Sequence, residues 1–283
     1  MIVDGFAKVN LSLGVRPRDD SGYHPIRSLA RSIEWPDRLA LDFADEDTFT
    51  IAGSEDIAAE SDNLAWRAVA AVRDELAVRR PLALDLEKRI PLAAGLGGGS
   101  ADAAAGLVAA ARLLDAPPDA APRLAPGLGS DVPFCLVGGM AWMEGRGERV
   151  SAIPIETDYA LAVAVPVALR LRSDEVYRRW DDLDGPIGAS VGGHHLPPSL
   201  RSFGPLGNDL LPAALDLRPE LGDWMADMAS RWGRPVLMTG SGSGVFGFFV
   251  DAEEAADAVL RVEHALVWAG EPVPSGTRIV VDE

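Results

Sequence analysis

Residues 91–101 read PLAAGLGGGSA, and glycine fills four of the five positions from 95 to 99. The stretch lies between a predicted strand at residues 82–90, in which leucines alternate toward one face, and a predicted helix at residues 101–114. Glycines let the backbone take positive φ and bring its N–H groups close to an anion, and a helix start adds unpaired donors. The sequence therefore predicts a phosphate-binding loop here, with a flexible turn as the alternative.

Two common phosphate-binding loops do not fit this stretch. A Walker A loop carries a lysine directly before its final serine or threonine, whereas Gly99 precedes Ser100 here. The dinucleotide fingerprint fails because its third glycine is displaced and no short β-α unit precedes the loop. The loop is therefore typical of another class of nucleotide-binding protein.

Composition and charge narrow the class further. The 283 residues include 26 basic and 43 acidic side chains, for a net charge of −17, which disfavours a nucleic-acid partner. The longest apolar runs, such as residues 159–169, fall short of the roughly 20 residues that a membrane span needs. The first ten residues lack a secretory pattern, and the single cysteine, Cys135, cannot form an internal disulfide. We expect a cytoplasmic protein with no membrane partner.

Hydrophobic patterning predicts alternating strands and helices. Residues 2–15 are expected to form a strand pair, and residues 28–43 a further strand. Residues 63–76 are expected to form a helix behind Asp62 as N-cap. Residues 115–126, rich in proline and alanine, are predicted to form a surface connection.

The second half predicts a β-α-β-β-α-β lobe of ferredoxin type after a boundary near residues 151–158. Its last elements are a helix at residues 252–268 and a strand at residues 277–282. Residues 185–207 are the least patterned, and we weigh a lid or binding loop against a disordered insertion.

Three motifs in order resemble a known superfamily. They are residues 7–11 (AKVNL), the loop at residues 91–101, and residues 238–244 (MTGSGSG). The chain is similar in these motifs to the galactokinase, homoserine kinase, mevalonate kinase and phosphomevalonate kinase (GHMP) superfamily. The resemblance implies an α+β, two-lobe GHMP kinase fold. Its N-terminal ATP-binding lobe, like domain 2 of ribosomal protein S5, would span residues 1–155, and a ferredoxin-like lobe would span residues 156–283.

A narrower resemblance rests on four shorter segments: residues 22–24 (GYH), 129–134 (GSDVPF), 145–148 (GRGE) and 208–210 (NDL). Together they resemble the 4-diphosphocytidyl-2-C-methyl-D-erythritol kinase family. The resemblance implies ATP-dependent phosphorylation of the substrate's 2-hydroxyl in the non-mevalonate route to isoprenoid precursors.

Lys8 and Asp131 are the candidate catalytic residues. Phosphoryl transfer needs charge neutralisation and a group that accepts or orients the hydroxyl proton, and Asp131 has that acceptor capacity. Lys8 lies in an apolar strand, where a buried ammonium needs a carboxylate partner. The resemblance places both beside the reacting hydroxyl. A turn-capping aspartate and a lysine reaching solvent are the alternatives, and full proton removal and simple orientation by Asp131 both stay open.

The resemblance places the cytidine diphosphate moiety near Asn10, Tyr23 and His24. Tyr23 offers a stacking face for cytosine, and His24 is expected to bond its polar edge. Tyr177 is the candidate for a second aromatic wall. The alternatives are hairpin-tip residues for the first pair and a core position for Tyr177.

ATP is the implied cofactor, with Mg²⁺ held largely by phosphate and water. Ser100 is a candidate contact to phosphate or Mg²⁺, or alternatively the helix N-cap, and Ala101 stands where the family commonly has a second serine. The alternative to an ATP contact is a place at the helix start for Asn63 and a solvated side chain for Lys88. We expect the following residues to contact ATP: Asn63, Leu64, Lys88, Pro91, Ala94, Gly95, Leu96, Gly97, Gly98, Gly99, Ser100 and Ala101.

Two rival functions stay open at the level of sequence. The first keeps the fold but phosphorylates a mevalonate-type or homoserine-type alcohol. The second is a nucleotide-binding relative without catalysis. We expect a monomer or weak homodimer in either case.

Overall fold

The computed structural model describes residues 1–20, 22–53 and 62–282. Its strands lie mainly in two antiparallel-rich sheets, with helices packed against both. The strands are β1 (Ile2–Val15), β2 (Ile26–Phe43), β3 (Thr48–Ala52), β4 (Leu82–Glu87), β5 (Met140–Gly145), β6 (Arg149–Ala152), β7 (Ala160–Pro166), β8 (Ser190–Val191), β9 (Leu206–Gly207), β10 (Leu237–Met238), β11 (Val245–Phe249), β12 (Ala265–Gly270) and β13 (Thr277–Val281). The helices are α1 (Leu64–Glu75), α2 (Gly98–Leu113), α3 (Ala120–Leu128), α4 (Val132–Val137), α5 (Ser173–Asp182), α6 (Leu211–Leu217), α7 (Glu220–Trp232) and α8 (Ala252–Val259).

The first sheet has the strand order β13-β1-β2-β4-β3, and β5 and β6 extend it from β2. The predicted strand pair at residues 2–15 is instead one long strand, β1, which pairs with β2 along its whole length. Helix α2 is rich in alanine and buries nine of its residues against this sheet and α1. Small side chains let the helix lie close, since a Cβ on Gly5 of β1 would fall 2.4 Å from the carbonyl oxygen of Ala101.

The second sheet has the order β10-β11-β7-β12. Its central strand β7 is buried at every residue, and α8 packs against both β7 and β12. The last strand, β13, does not belong to this sheet; it pairs antiparallel with β1 of the first, with Gly5 opposite Thr277 and Ile2 opposite Val281. The part of the chain after residue 156 thus contributes a strand to the first sheet, and the boundary at 155 and 156 stays a prediction.

Two further predicted segments differ from the structure. The helix predicted at residues 252–268 ends at Val259, and its second part forms β12, which pairs with β7. Residues 115–126 contain the start of α3 rather than a simple connection. Residues 185–207 contain only two short strands and two 3₁₀ helices.

Among the helices of the described residues, none is long and apolar enough to span a bilayer.

Candidate active site

The glycine-rich loop runs directly into α2. The helix begins at Gly98, three residues earlier than predicted, and Gly97 before it has a left-handed φ of 71°. Ser100 therefore lies inside the first turn, and the alternative that made it the N-cap is wrong. The first N–H groups of a helix have no carbonyl partner within it, and a glycine cap has no side chain to bond them. These groups are available to hold an anion.

A cavity of about 780 Å³ opens over this loop. Its walls come from β1, the β1–β2 connection, the loop, the start of α4, and α5. The cavity brings together most of the site residues expected from the sequence: Lys8, Asn10, Tyr23, His24, Leu64, Pro91, Ala94, Gly95, Leu96, Gly97, Gly98, Gly99, Ser100, Asp131 and Tyr177.

The third glycine-rich motif, residues 238–244, packs against the phosphate-binding loop. Thr239 donates its hydroxyl to the Gly95 carbonyl at 3.2 Å, and the Gly244 N–H donates to the Ala94 carbonyl at 3.1 Å. Gly95 has a φ of 75°, and a Cβ there would fall 2.0 Å from the Thr239 carbonyl oxygen. Only glycine fits this contact, so the third motif supports the loop from behind.

Lys8 reaches the loop and Asp131 at once. Its backbone N–H donates to the Leu96 carbonyl at 2.9 Å, and its Nζ lies 3.3 Å from Asp131 Oδ2. The Lys8 side chain is 4% exposed, whereas that of Asp131 is 30% exposed. The ammonium is therefore held by its surroundings, while the carboxylate can reach a ligand in the cavity.

Asp131 stands at the N-cap of α4, yet its side chain forms no capping hydrogen bond to the described backbone of that helix. The turn-capping alternative for this residue is therefore wrong. Its carboxylate faces Lys8 instead.

Asn10 links Lys8 to the rest of the first sheet. Its Oδ1 accepts from Lys8 Nζ at 2.5 Å, and its Nδ2 donates to Ser28 Oγ at 2.7 Å. Its backbone N–H donates to Thr239 Oγ1 at 2.9 Å. Both polar atoms of the Asn10 side chain thus have a partner. Asn10, held in place by Ser28, in turn fixes the position of the Lys8 ammonium.

Aromatic side chains gather at the other end of the cavity. The rings of His24 and Tyr177 lie 5.0 Å apart at their centroids, and the Arg146 guanidinium lies 4.8 Å over the ring of Tyr23. Tyr23 is 54% exposed. Burial raises the pKa of Tyr177, so its phenol stays neutral. An exposed ring facing a cavity with a buried aromatic wall suits a planar, polar ligand.

The sequence did not indicate the partners of His24. Asp181 of α5 accepts from His24 Nε2 at 2.7 Å and from Arg18 Nε at 2.8 Å. Burial acts to raise the pKa of Asp181, but the bonds from His24 and Arg18 outweigh it and hold that pKa below its usual value. This carboxylate joins α5 to the β1–β2 connection.

Three expected ATP contacts lie outside the cavity lining. Asn63 caps α1, with its Oδ1 accepting from the Ala65 N–H at 2.9 Å, so Asn63 and not Asp62 is the N-cap. Ala101 is fully buried in α2. Lys88 is enclosed between two carboxylates beneath the loop, not at a solvated position.

Three cationic side chains of the cavity were missed as site residues. Arg18, Arg146 and Arg178 all line it, although the chain as a whole is strongly acidic. Arg146 lies in the quoted GRGE segment, and this was the only signal for it. Cations at this end suit a phosphorylated ligand.

No group of three or more His, Cys, Asp or Glu side chains in the described ranges is arranged to hold a metal ion. The acceptor side chains that line the cavity include the Asp131 carboxylate and the Ser100 hydroxyl. They suit a metal ion that arrives with phosphate and water as its other ligands.

Comparisons with known proteins agree with this geometry. The model of the "GHMP kinases N terminal domain" matches residues 63–139. The 4-diphosphocytidyl-2-C-methyl-D-erythritol kinase of Anaeromyxobacter sp. (strain Fw109-5) is 38% identical over 270 residues, which cover 92% of this chain and 86% of the relative. The kinase of the same name from Cutibacterium acnes is 38% identical over 257 residues, covering 83% and 81%.

Solved structures of kinases are also similar to this chain. A crystal structure of 4-(cytidine 5'-diphospho)-2C-methyl-D-erythritol kinase is 33% identical, with a TM-score of 0.76, covering 95% of this chain and 98% of that one. A homoserine kinase from Cytophaga hutchinsonii, 17% identical with a TM-score of 0.72 over 99% and 97% of the two chains, shares the fold. These matches confirm the expected GHMP kinase fold, and the chain belongs to the 4-diphosphocytidyl-2-C-methyl-D-erythritol kinase family.

Proposed function

We infer that this chain transfers the γ-phosphoryl group of ATP to the 2-hydroxyl of 4-diphosphocytidyl-2-C-methyl-D-erythritol. The reaction belongs to the non-mevalonate route to isoprenoid precursors. One observation carries the assignment of the reacting centre: the Lys8–Asp131 pair lies in the same cavity as the glycine-rich loop and the Tyr23–His24–Tyr177 cluster.

ATP would lie with its phosphates along the loop at residues 95–100. The first N–H groups of α2 supply donors and a positive dipole end, which suits a triphosphate. Leu64 and Pro91 line the cavity beside the loop and offer apolar surface to the adenine. Asn63 and Lys88 would act from behind this surface, through the cap of α1 and the position of the loop.

The reacting hydroxyl would lie beside the Lys8–Asp131 pair, on the exposed side of the Asp131 carboxylate. Asp131 accepts or orients its proton, and the Lys8 ammonium lies beside the same carboxylate. The same ammonium neutralises charge that spreads over the transferring phosphoryl group. Because that transition state is loose, positioning and charge neutralisation contribute more than proton removal.

The cytidine end of the substrate would occupy the aromatic cluster. Tyr23 and Tyr177 supply stacking surfaces, and His24, fixed by Asp181, supplies a polar edge. Stacking of a base on an aromatic ring is worth about 1–3 kcal/mol. Asn10 was expected near the cytidine diphosphate; because its side chain is bonded to Lys8 and Ser28, we propose that it contacts the substrate where the diphosphate meets the tetrol.

Mg²⁺ would enter with ATP. Ser100 and Asp131 are the side chains that would face it, with phosphate oxygens and water as the remaining ligands. Its charge would neutralise the phosphates, as in other phosphoryl-transfer enzymes.

The small molecules ATP and the cytidylylated tetrol are the partners that the site fits. We propose a cytoplasmic monomer or weak homodimer that binds neither membranes nor nucleic acid. The net charge of −17 supports the last point, because it repels a phosphate backbone.

A panel of acceptors tests the assignment. The purified chain is assayed for ADP release with ATP and, in turn, the cytidylylated tetrol, homoserine and mevalonate. We expect turnover with the first alone. Turnover with homoserine or mevalonate and not with the cytidine substrate would contradict the substrate and retain the kinase fold.

A further inference from the structure

Three ionisable side chains form a buried cluster next to the active site. Lys88 follows β4, Asp37 belongs to β2 and Asp102 to α2. The Lys88 Nζ donates to Asp37 Oδ2 and, at 2.6 Å, to Asp102 Oδ2. All three side chains are at most 4% exposed. The described residues thus place two carboxylates on one ammonium, away from solvent.

The cluster connects the two ends of the phosphate-binding loop. Asp37 Oδ1 accepts from the backbone N–H groups of Arg89 at 2.5 Å and Ile90 at 2.8 Å, directly before the loop. On the far side, the position that a Cβ of Gly98 would take lies 3.5 Å from Lys88 Nζ. The cluster therefore lies under the first turn of α2, the turn whose N–H groups face the cavity.

With every group ionised, the cluster would carry one net negative charge. Such a charge is costly to bury, and beneath this turn it would also oppose the binding of phosphate. Asp102 Oδ1 is fully enclosed and has no hydrogen-bond donor among the described residues. Asp37 and Asp102 each place an Oδ2 on the same Lys88 Nζ, so the two carboxyl groups are neighbours in the cluster. Two neighbouring buried carboxyl groups share a proton more readily than they ionise together.

We propose that Asp102 is a neutral carboxylic acid in the folded protein, donates a hydrogen bond to Asp37, and with Lys88 forms a cluster of zero net charge that positions the phosphate-binding loop. Asp102 is in this sense a positioning residue. It acts through Lys88 and Asp37 and not by contact with ATP. The proposal rests on the proposed function only in taking the loop as the ATP site.

The ionisation of the neighbouring groups agrees with this assignment. Burial, and then the adjacent Asp37, hold the pKa of Asp102 well above its usual 3.8, although Lys88 opposes them. Burial acts to lower the pKa of Lys88, but its two acidic neighbours outweigh it and raise that pKa, and Asp37 remains a charged partner for the ammonium when Asp102 is protonated. The Cys135 thiol of α4 also lies near Asp102, and burial raises its pKa, so that it is neutral. The charged side chain of Lys8 lies against Gly97 at the start of the same turn.

A raised pKa of Asp102 makes the stability of the folded protein depend on pH, because the folded and unfolded chains then bind different numbers of protons. Between the usual carboxyl pKa and the raised pKa of Asp102, the folded protein binds one proton that the unfolded chain does not hold. Stability contributed by this group therefore falls as pH rises through that range. An asparagine needs no proton, and its amide can donate to Asp37 in the same place.

Denaturant unfolding of Asp102→Asn tests the proposal at neutral pH. We expect a midpoint equal to or higher than that of the wild type. The matched control is Asp4→Asn, because Asp4 is equally buried but accepts from Arg38 and Arg278 and is ionised, and its midpoint should fall. A midpoint of Asp102→Asn below that of the wild type would overturn the proposal.

A direct measurement on the wild type does not depend on how the variant folds. Carboxyl ¹³C resonances of labelled aspartate report protonation. At neutral pH we expect one buried aspartate resonance at the position of a protonated acid, and its loss in Asp102→Asn. A spectrum in which all aspartates are ionised would overturn the proposal.

ATP affinity, measured by calorimetry as the pH is raised over the range in which both proteins stay folded, tests the effect on the loop. We expect the affinity of the wild type to fall as Asp102 loses its proton, and that of Asp102→Asn to stay level. An equal pH dependence in the two proteins would overturn the claim that the charge of the cluster acts on the loop. Failure of the proposed kinase reaction would leave the unfolding and NMR results unaffected, so the two failures are distinguishable.

Discussion

Asp131 Oδ2 lies 3.3 Å from Lys8 Nζ, and Lys8 contributes far less exposed surface than its partner. Their elements, β1 and the start of α4, are distant in sequence and meet at the glycine-rich loop. The pair thus places a fixed cation and a reachable carboxylate beside an anion-binding helix start. Phosphoryl transfer to an alcohol uses charge neutralisation and a group that orients the hydroxyl, and this pair can supply both.

Removal of the ammonium should impair chemistry more than binding. We expect Lys8→Met, which roughly keeps the side-chain length, to lower kcat by about 10²- to 10³-fold, as loss of a preorganised charge does elsewhere. The KM for the cytidine substrate should change little. Lys8→Arg should recover only part of the rate, because a Cβ on Gly97 would already lie 3.0 Å from Lys8 Cε and the larger head group lacks room. A rate for Lys8→Met near that of the wild type would contradict the role.

Tyr23 should contribute to binding of the nucleobase. We expect Tyr23→Ala to raise the KM for the cytidine substrate by roughly 5- to 150-fold, which corresponds to about 1–3 kcal/mol. Tyr23→Phe keeps the ring and serves as the matched control, with a KM close to that of the wild type. The KM for ATP should not change in either variant. Steady-state kinetics with each substrate varied in turn would measure these KM values. An equal rise in the KM for ATP in Tyr23→Ala would contradict the expectation.

Gly95, where the phosphate-binding loop contacts the motif at residues 238–244, should tolerate no side chain. Gly95→Ala would place a Cβ 2.0 Å from the Thr239 carbonyl oxygen. The left-handed backbone alone costs about 1–2 kcal/mol, so we expect a lower unfolding midpoint and weaker ATP binding. Gly127→Ala in α3, where a Cβ would meet nothing within 4 Å, is the matched control and should not lower stability. Equal effects of the two changes would argue against the contact.

The attachment of β13 to the first sheet should weaken at acid pH. Burial raises the pKa of Asp4, but hydrogen bonds from Arg38 and from Arg278 of β13 outweigh it and hold that pKa below its usual 3.8. Stability from this group is therefore present above the usual pKa and lost as pH falls through the folded-state pKa. We expect Asp4→Asn to flatten the acid end of a stability-against-pH curve. Parallel curves for the two proteins would contradict the expectation.

The sequence indicated those parts of the site that depend on local chemistry. Four glycines before a helix predicted the loop, and a lysine in an apolar strand required a carboxylate partner. It did not indicate Asp181, because that carboxylate reaches His24 only through the packing of α5 against the β1–β2 connection. It also gave no sign that Asp37 and Asp102 enclose Lys88, since three separate elements bring them together.

The helix predicted at residues 252–268 is too long for the same reason, because a local pattern does not show tertiary contacts. Residues 252–268 carry apolar side chains that suit both a helix and a half-buried strand, and short patterns do not separate the two. Asp251 does cap α8, accepting from the Glu254 N–H at 2.9 Å. The chain then turns through His264, which has a φ of 57°, and pairs with β7. Tertiary pairing decides the structure of this second part.

The role of Asp131 is the central claim, and a single-turnover measurement tests it most directly. Enzyme in excess is mixed with ATP and the cytidylylated tetrol, and the new phosphate ester at the 2-position is followed by ³¹P NMR for the wild type and Asp131→Asn. We expect the wild type to form the ester and the variant to be slower by about 10²- to 10⁴-fold, the usual contribution of a positioned acid or base, while both bind the substrate equally well. Ester formation by Asp131→Asn at the rate of the wild type would contradict the account.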